Sequence, residues 1–210
     1  TLMSYIFNKS PSPSLFGHMH FRTAYTLLPS IRKVALDSVK KGQLNVISIA
    51  CGTSLELACF EMLARSLELS INYIGCDINK SALKFNYHVL GKRSKNIHQR
   101  YIHSDIASSP PSNYISNADC IIWRHPEFLS DHVEVPKTLI LKMTQILWNI
   151  LQVKNKDSSI FISCYDPHEM LLVIELLKEF CNKELDYELY VDTQKGRASI
   201  DNPMVSREDT

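Results

Sequence analysis

The chain has 210 residues, of which 45% are hydrophobic and 21% charged, and its formal net charge is +1 at pH 7. The hydrophobic and charged fractions are typical of one globular domain with a sizeable core, and they disfavour wholesale disorder. The small net charge disfavours a strong electrostatic attraction to nucleic acid or anionic membranes. The six cysteines include no C-x-x-C pair, which disfavours a disulfide framework or a zinc site. No apolar run reaches transmembrane length, so we expect a cytoplasmic protein without a membrane partner.

Short apolar runs alternate with stretches in which apolar side chains recur every three to four residues. The runs predict buried strands, and the periodic stretches predict helices with one apolar face. In chain order, we predict a helix over 21–41, a strand over 45–50, a helix over 54–69, a strand over 71–76, a helix over 79–90, strands over 97–103 and 118–123, a helix over 135–152, a strand over 159–165, a helix over 168–183 and a strand over 185–191. Pro29 could divide the first helix into two.

This alternation is typical of βαβ units and predicts an α/β three-layer sandwich. The central sheet should be mostly parallel, with helices on both faces. Lys195-Gly196 could turn the last strand into an antiparallel C-terminal hairpin. We expect a single domain over residues 21–200, an N-terminal loop or lid segment over 1–20 and a polar tail over 201–210.

Ligands of a parallel sheet bind beyond the carboxyl ends of its strands, so the residues that follow each strand are the candidates. The turn after the first strand, residues 50–54, contains one glycine, Gly52, and lacks both the dinucleotide fingerprint and a P-loop lysine. It therefore favours a ligand that places no phosphate there. Asp77 follows the second strand and could accept hydrogen bonds from a ribose diol, or it could stabilise the start of the next helix.

Four stretches resemble, in order and spacing, the motifs of class I S-adenosylmethionine-dependent methyltransferases, a family with a Rossmann-like fold. They are Val46-Ile47-Ser48-Ile49-Ala50-Cys51-Gly52-Thr53-Ser54, Ile74-Gly75-Cys76-Asp77-Ile78-Asn79-Lys80-Ser81-Ala82-Leu83, Tyr101-Ile102-His103-Ser104-Asp105-Ile106 and Ala118-Asp119-Cys120-Ile121-Ile122-Trp123. The resemblance covers roughly residues 20–190. It implies S-adenosylmethionine as the cofactor and S-adenosylhomocysteine as the product.

The resemblance also implies roles for individual residues. Asp77 would bind the ribose hydroxyls, Ile78 would pack on the adenine, and Asp105 would accept a hydrogen bond from the adenine amino group. The remaining implied cofactor contacts are Ala50, Cys51, Gly52 and Ser54 around the methionine portion, together with Ile106 and Trp123.

The first motif departs from the family pattern. Ser48 stands where the family usually has an acidic residue, and Ala50 and Ser54 stand where it usually has glycines. A Cβ atom at such a turn position restricts φ and fills space near the ligand. Glu56 could supply a carboxylate near the cofactor ammonium, or it could be an exposed residue of the first helical turn.

The segment after the fourth strand lies where many members of the family carry catalytic or substrate-positioning residues. Arg124 could clamp a carboxylate or phosphate of the acceptor, and His125 could act as a base. Glu127 and Tyr165 are further candidates for contacts with the acceptor. In a purely structural alternative, Arg124 and Glu127 form a loop ion pair and His125 caps the strand.

These observations predict a methyltransferase that works by in-line displacement, for which holding donor and acceptor in line supplies much of the catalysis. The methyl acceptor stays open between a small molecule, a protein and RNA. The alternative is a catalytically inactive protein of the same fold that binds a partner. The missing glycines disfavour a nicotinamide-dependent oxidoreductase, and the basic stretch over 92–95 is expected to be a solvated helix end.

Overall fold

The structure is a computed structural model that describes residues 15–90, 95–124, 126, 136–164 and 167–181. The strands are β1 (Gln43–Ile49), β2 (Ser70–Asp77), β3 (Ile97–His103), β4 (Cys120–Arg124) and β5 (Ser159–Ser163). The α-helices are α1 (Leu15–Val39), α2 (Leu57–Ser66), α3 (Lys80–Phe85), α4 (Ser112–Ile115), α5 (Lys137–Val153) and α6 (Pro167–Cys181). A π-helical turn, Asn86–Leu90, continues α3.

The five strands form one sheet in the order β3-β2-β1-β4-β5, and every pair in it is parallel. The strand order reverses between β1 and β4, because the chain adds strands first on one side of β1 and then on the other. The predicted α/β sandwich with a parallel central sheet is therefore confirmed. The predicted C-terminal strand and hairpin lie outside the described residues.

Two apolar clusters occupy the two faces of the sheet, because successive side chains of a strand point to opposite sides. On one face, α1 and α2 pack on Leu44 and Val46 of β1. On the other face, α5 and α6 pack on Ile47 and Ile49 of the same strand. This alternation makes the three layers and leaves the carboxyl edge of the strands open to loops.

The first helix corrects two details of the sequence interpretation. It begins at Leu15, six residues before the predicted start, so residues 15–20 are helical rather than loop. It also continues through Pro29 without a division. Proline inside a helix costs about 3 kcal/mol through a lost hydrogen bond and a steric clash. The buried face that includes Ala24, Ile31 and Ala35 offsets that cost by packing on the sheet.

Gly75 allows the first turn and the third strand to approach β2 closely. A Cβ atom at Gly75 would lie 2.8 Å from Cδ1 of Tyr101 and 2.9 Å from Sγ of Cys51, both inside van der Waals contact. Close packing against Tyr101 and Cys51 therefore explains why a glycine occupies this position of the second motif. Within the described ranges, no helix is both long and apolar enough to cross a membrane.

Candidate functional site

The turn after β1 keeps the backbone conformation that a glycine-rich turn would have. Ala50, Gly52 and Ser54 all have φ of +49°, in the left-handed region. The backbone N–H of Cys51 donates to the carbonyl of Cys76 at 3.0 Å, which ties the start of the turn to the end of β2. Alanine and serine at the two motif positions thus adopt the left-handed conformation that favours glycine.

Asp77 holds this turn from the side of β2. Its Oδ2 accepts a hydrogen bond from the N–H of Gly52 at 2.7 Å, and its Oδ1 accepts one from the N–H of Asn79 at 2.7 Å. Asn79 in turn caps α3 by accepting from the N–H groups of Ser81 and Ala82. An ionised carboxylate can accept about four hydrogen bonds, so Asp77 keeps acceptor capacity for a ligand.

Asn86 holds the turn from the opposite side, and the sequence interpretation missed it. Its Nδ2 donates to the carbonyl of Gly52 at 2.7 Å and to Oγ of Ser54 at 3.0 Å, and its side chain is fully buried. It lies at the start of the π-helical turn, a distortion that is frequent at functional sites. The available signal was a polar residue three positions after the buried Leu83, on the apolar side of α3.

Ala50→Gly should raise the free energy of unfolding by about 0.5–1 kcal/mol. The left-handed conformation costs a non-glycine residue about 1–2 kcal/mol, part of which is offset because glycine makes the unfolded chain more flexible. Ala50 is exposed, so no packing is lost. Ser54→Gly is the matched control: it relieves the same φ but removes the contact with Asn86, and we expect no gain. Urea unfolding measures both, and an unchanged midpoint for Ala50→Gly would contradict the account.

The turn faces open space at its central residue. A Cβ atom at Gly52 would meet nothing within 4 Å. Ile78, which follows Asp77, is a large apolar side chain that is 56% exposed. An apolar surface next to a carboxylate and a left-handed turn is the arrangement that the resemblance predicts for a nucleoside with an attached amino acid.

Asp105 and Ile106 follow β3, but only Asp105 is accessible. Asp105 Oδ2 pairs with Nζ of Lys142 on α5 at 3.0 Å. The hydrogen bond from Lys142 holds the pKa of Asp105 below its ordinary value. Ile106 is buried in the cluster beneath α5, so its side chain belongs to the core. The carboxylate is thus at the predicted edge with a cation beside it.

Lys142→Met should raise the pKa of Asp105 toward its ordinary value of about 3.9. A lowered pKa in the folded state stabilises the protein above the unfolded-state pKa, and this contribution disappears as the pH falls through the folded-state pKa. Wild type should therefore exceed Lys142→Met in stability at pH 7, and this advantage should be smaller at pH 3, which is below the unfolded-state pKa of about 3.9. The gap should be at most about 1 kcal/mol, because both side chains are about one-third exposed.

Urea unfolding at the two pH values measures this gap, and the exposed Lys137 on the same helix provides the control Lys137→Met. Equal pH dependence in the two variants would show that the pair with Asp105 has no effect. A carboxyl carbon titration by NMR reports the pKa directly.

A buried polar network links β1, β2 and β4 on the sheet face opposite Asp105. Glu56 is fully buried, and its Oε1 accepts from Oγ of Ser48 and from Oη of Tyr73, each at 2.5 Å. Its Oε2 accepts from Nε of Arg124 at 2.8 Å. Burial, helped by the charge of Glu56, raises the pKa of Tyr73 well above its ordinary value, so the phenol stays a donor.

In this network, Glu56 places a carboxylate next to Ser48, and Arg124, a predicted catalytic residue, forms an ion pair. Ser48 stands where the family usually has an acid, and its hydroxyl contacts a carboxylate that comes from the start of α2 instead. The Arg124 side chain is only 10% exposed and forms an ion pair with Glu56 rather than lying open for an acceptor. Glu127, the partner of Arg124 in the structural alternative, lies outside the described residues.

The other predicted residues divide between the core and the parts of the chain not described. Trp123 is buried in the cluster beneath α5. Cys51 is also buried, which raises the pKa of its thiol and keeps it protonated, so it contributes volume rather than a nucleophile. His125 and Tyr165, like Glu127, lie outside the described residues. The structure therefore brings together Ala50, Cys51, Gly52, Ser54, Asp77 and Ile78, with Asp105 at the neighbouring strand end.

The known proteins to which this chain is similar are solved structures. No family model matches the chain, and no curated protein does. The methyltransferase domain of bacterial CtHen1-CN is 11% identical, with 76% of this chain and 86% of that chain covered and a TM-score of 0.49. Magnesium protoporphyrin IX methyltransferase from Synechocystis PCC 6803, with bound S-adenosylmethionine, is 12% identical, with coverages of 85% and 78% and a TM-score of 0.43.

A third similar structure is the CMeT domain of the citrinin polyketide synthase, at 13% identity and a TM-score of 0.41. The match covers 57% of this chain and spans only 28% of that chain.

Proposed function

We propose that this chain binds S-adenosylmethionine at the carboxyl edge of β1 and β2 and transfers its methyl group to an acceptor. The observation that carries the proposal is the first turn, whose three left-handed residues are held between Asp77 and Asn86. Two of these residues are not glycine, and a left-handed conformation at such positions persists only where the surrounding contacts impose it. Such strained positions cluster at ligand sites, which favours a ligand at this turn.

The residues around the turn fit the cofactor. Asp77 offers carboxylate lone pairs to the ribose hydroxyls, Ile78 offers an exposed apolar surface to the adenine, and Gly52 leaves space beside the backbone. Asp105 offers an acceptor for the adenine amino group, although Lys142 already holds one of its oxygens. When bound, S-adenosylmethionine supplies a methyl group activated by the sulfonium charge.

Arg124 acts in this proposal as a positioning residue. Its ion pair with Glu56 joins the end of β4, where the acceptor is expected, to the start of α2 beside the cofactor turn. Because Ser48 and Tyr73 also donate to Glu56, the carboxylate is fixed in place. The base and the direct contacts to the acceptor stay assigned to His125, Glu127 and Tyr165, as the sequence predicts.

Methyl transfer from labelled S-adenosylmethionine to fractionated metabolites, RNA and protein tests this function. We expect label in one fraction, with S-adenosylhomocysteine as the second product. Binding of the cofactor without transfer to any fraction would instead support the catalytically inactive binding protein. Failure to bind the cofactor at millimolar concentration would refute both the site and the reaction.

A further inference from the structure

A cavity of about 510 Å³ lies against the sheet near the amino-terminal ends of β1, β2 and β3. Asn45 and Asn72, the third residues of β1 and β2, are among its lining residues. Asp77, the last residue of β2, lies roughly 16 Å further along the strand. The cavity is therefore separate from the proposed cofactor edge, and its volume is in the range of small-molecule sites.

The strand register explains why this part of the sheet face is polar. Asn45, Asn72 and His98 are aligned in one row across three neighbouring strands. The equivalent row at the carboxyl end consists of Ile49, Cys76 and Ile102. Central parallel strands are normally apolar along their whole length, because helices cover both faces. Asn45 and Asn72 on the central strands β1 and β2 depart from what packing alone requires, and His98 extends the polar row onto the edge strand β3.

The connection from β3 to β4, all of which the structure describes, contains no long helix that could cover the row of Asn45, Asn72 and His98. Its only α-helix among the described residues, α4, spans four residues. Asn113, Tyr114 and Asn117 from this connection also line the cavity. The cavity is therefore lined by polar side chains of both the sheet and the connection.

The two asparagines each keep one polar group available to a ligand. Oδ1 of Asn45 accepts hydrogen bonds from Nε2 of Gln43 at 2.8 Å and from Nδ2 of Asn72 at 2.9 Å. This pairing leaves Nδ2 of Asn45 and Oδ1 of Asn72 without partners in the described part of the chain. A free amide donor and a free amide acceptor are the two kinds of group that pair with the hydrogen-bonding edge of a nucleobase.

The charge of the lining favours an anion. Arg100 and His98 line the cavity, and no aspartate or glutamate does. Nη1 of Arg100 donates to Oη of Tyr114 at 2.7 Å, and the guanidinium carbon lies 5.7 Å from the centre of that ring. Both contacts fix the guanidinium while leaving N–H groups for a phosphate, which arginine binds in bidentate fashion.

We propose that this cavity binds a nucleoside monophosphate, with the base against Asn45 and Asn72 and the phosphate at Arg100. The aromatic ring of Tyr114 supplies an apolar surface near the base or ribose. The proposal goes beyond the cofactor site and does not depend on methyl transfer, because the two sites lie at opposite ends of the strands.

Calorimetric titration with AMP, GMP, CMP and UMP in turn tests the proposal, with excess S-adenosylhomocysteine present so that adenine cannot report the cofactor edge. We expect at least one nucleotide to bind with Kd below about 1 mM. Arg100→Gln and Asn72→Ala should each weaken that binding at least about fivefold. The exposed Arg32 on the other face gives the control Arg32→Gln, which should bind as wild type does.

Three outcomes would overturn the proposal. They are the absence of binding by all four nucleotides at millimolar concentration, equal binding by Arg100→Gln and wild type, and binding of inorganic phosphate as tight as that of the best nucleotide. Arg100 is exposed, so its variant is expected to fold normally, and thermal unfolding checks this. A short single-stranded RNA that binds more tightly than any mononucleotide would support the proposal and identify the source of the nucleotide.

Discussion

Glu56→Ala should lower the free energy of unfolding by about 3–5 kcal/mol, because removing one member of a buried ion pair leaves its partners poorly satisfied. The carboxylate accepts from Ser48 and Tyr73, which are buried, and from Arg124, whose side chain is 10% exposed. For a domain of this size the midpoint of thermal unfolding should fall by about 6–20 °C. Urea unfolding followed by circular dichroism gives the free energy.

The control is Glu175→Ala, which also replaces a glutamate by alanine, but at an exposed position on α6. Its effect should stay within about 0.5 kcal/mol. A double variant, Glu56→Ala with Arg124→Met, should cost less than the sum of the single changes, since the two side chains contact each other. A loss below about 1 kcal/mol for Glu56→Ala would show that the network does not hold β4 to α2.

Asp77→Ala should weaken the binding of S-adenosylmethionine at least about 100-fold. Two hydrogen bonds from a ribose diol to a carboxylate are worth about 3 kcal/mol or more together, and each 1.4 kcal/mol is a factor of ten. The variant also removes the acceptor for the N–H groups of Gly52 and Asn79, so the turn itself loosens. Equilibrium dialysis with labelled cofactor measures the affinity.

Two further variants separate these contributions. Asp37→Ala removes an exposed aspartate on α1 and should leave the affinity unchanged. Asn86→Ala disturbs the same turn from the other side without touching the carboxylate. It should weaken binding less than Asp77→Ala does. An affinity for Asp77→Ala within threefold of wild type would mean that the cofactor lies elsewhere.

The sheet could be predicted from the sequence because each strand and turn is indicated by residues that are adjacent in the sequence. Buried parallel strands are near-continuous apolar runs, and the turns between them carry glycine, proline and asparagine. Capping by Asn79 is equally local, since its side chain reaches N–H groups two and three residues away. Except for the start of α1, six residues earlier than predicted, and the short α4, which the sequence does not predict, the predicted bounds of the described strands and helices lie within three residues of those observed, with the π-helical turn counted as part of α3.

The buried network could not be predicted, because its contacts are distant in sequence. Glu56 meets Tyr73 across 17 residues and Arg124 across 68. A glutamate that follows a turn has the local pattern of an exposed residue. Only the parallel register, which places Ile47 beside Ile121 and Ile74, brings β4 and β2 to either side of β1. The continuity of α1 through Pro29 depends in the same way on packing against the sheet.

Calorimetric titration of the unmodified chain with S-adenosylhomocysteine tests the central claim most directly. We predict saturable binding of one molecule per chain, with Kd well below 1 mM, and no comparable heat with NAD. The absence of any heat at millimolar S-adenosylhomocysteine, or binding of NAD in its place, would contradict the assignment of the turn over 50–54 and Asp77 as a methyl-donor site.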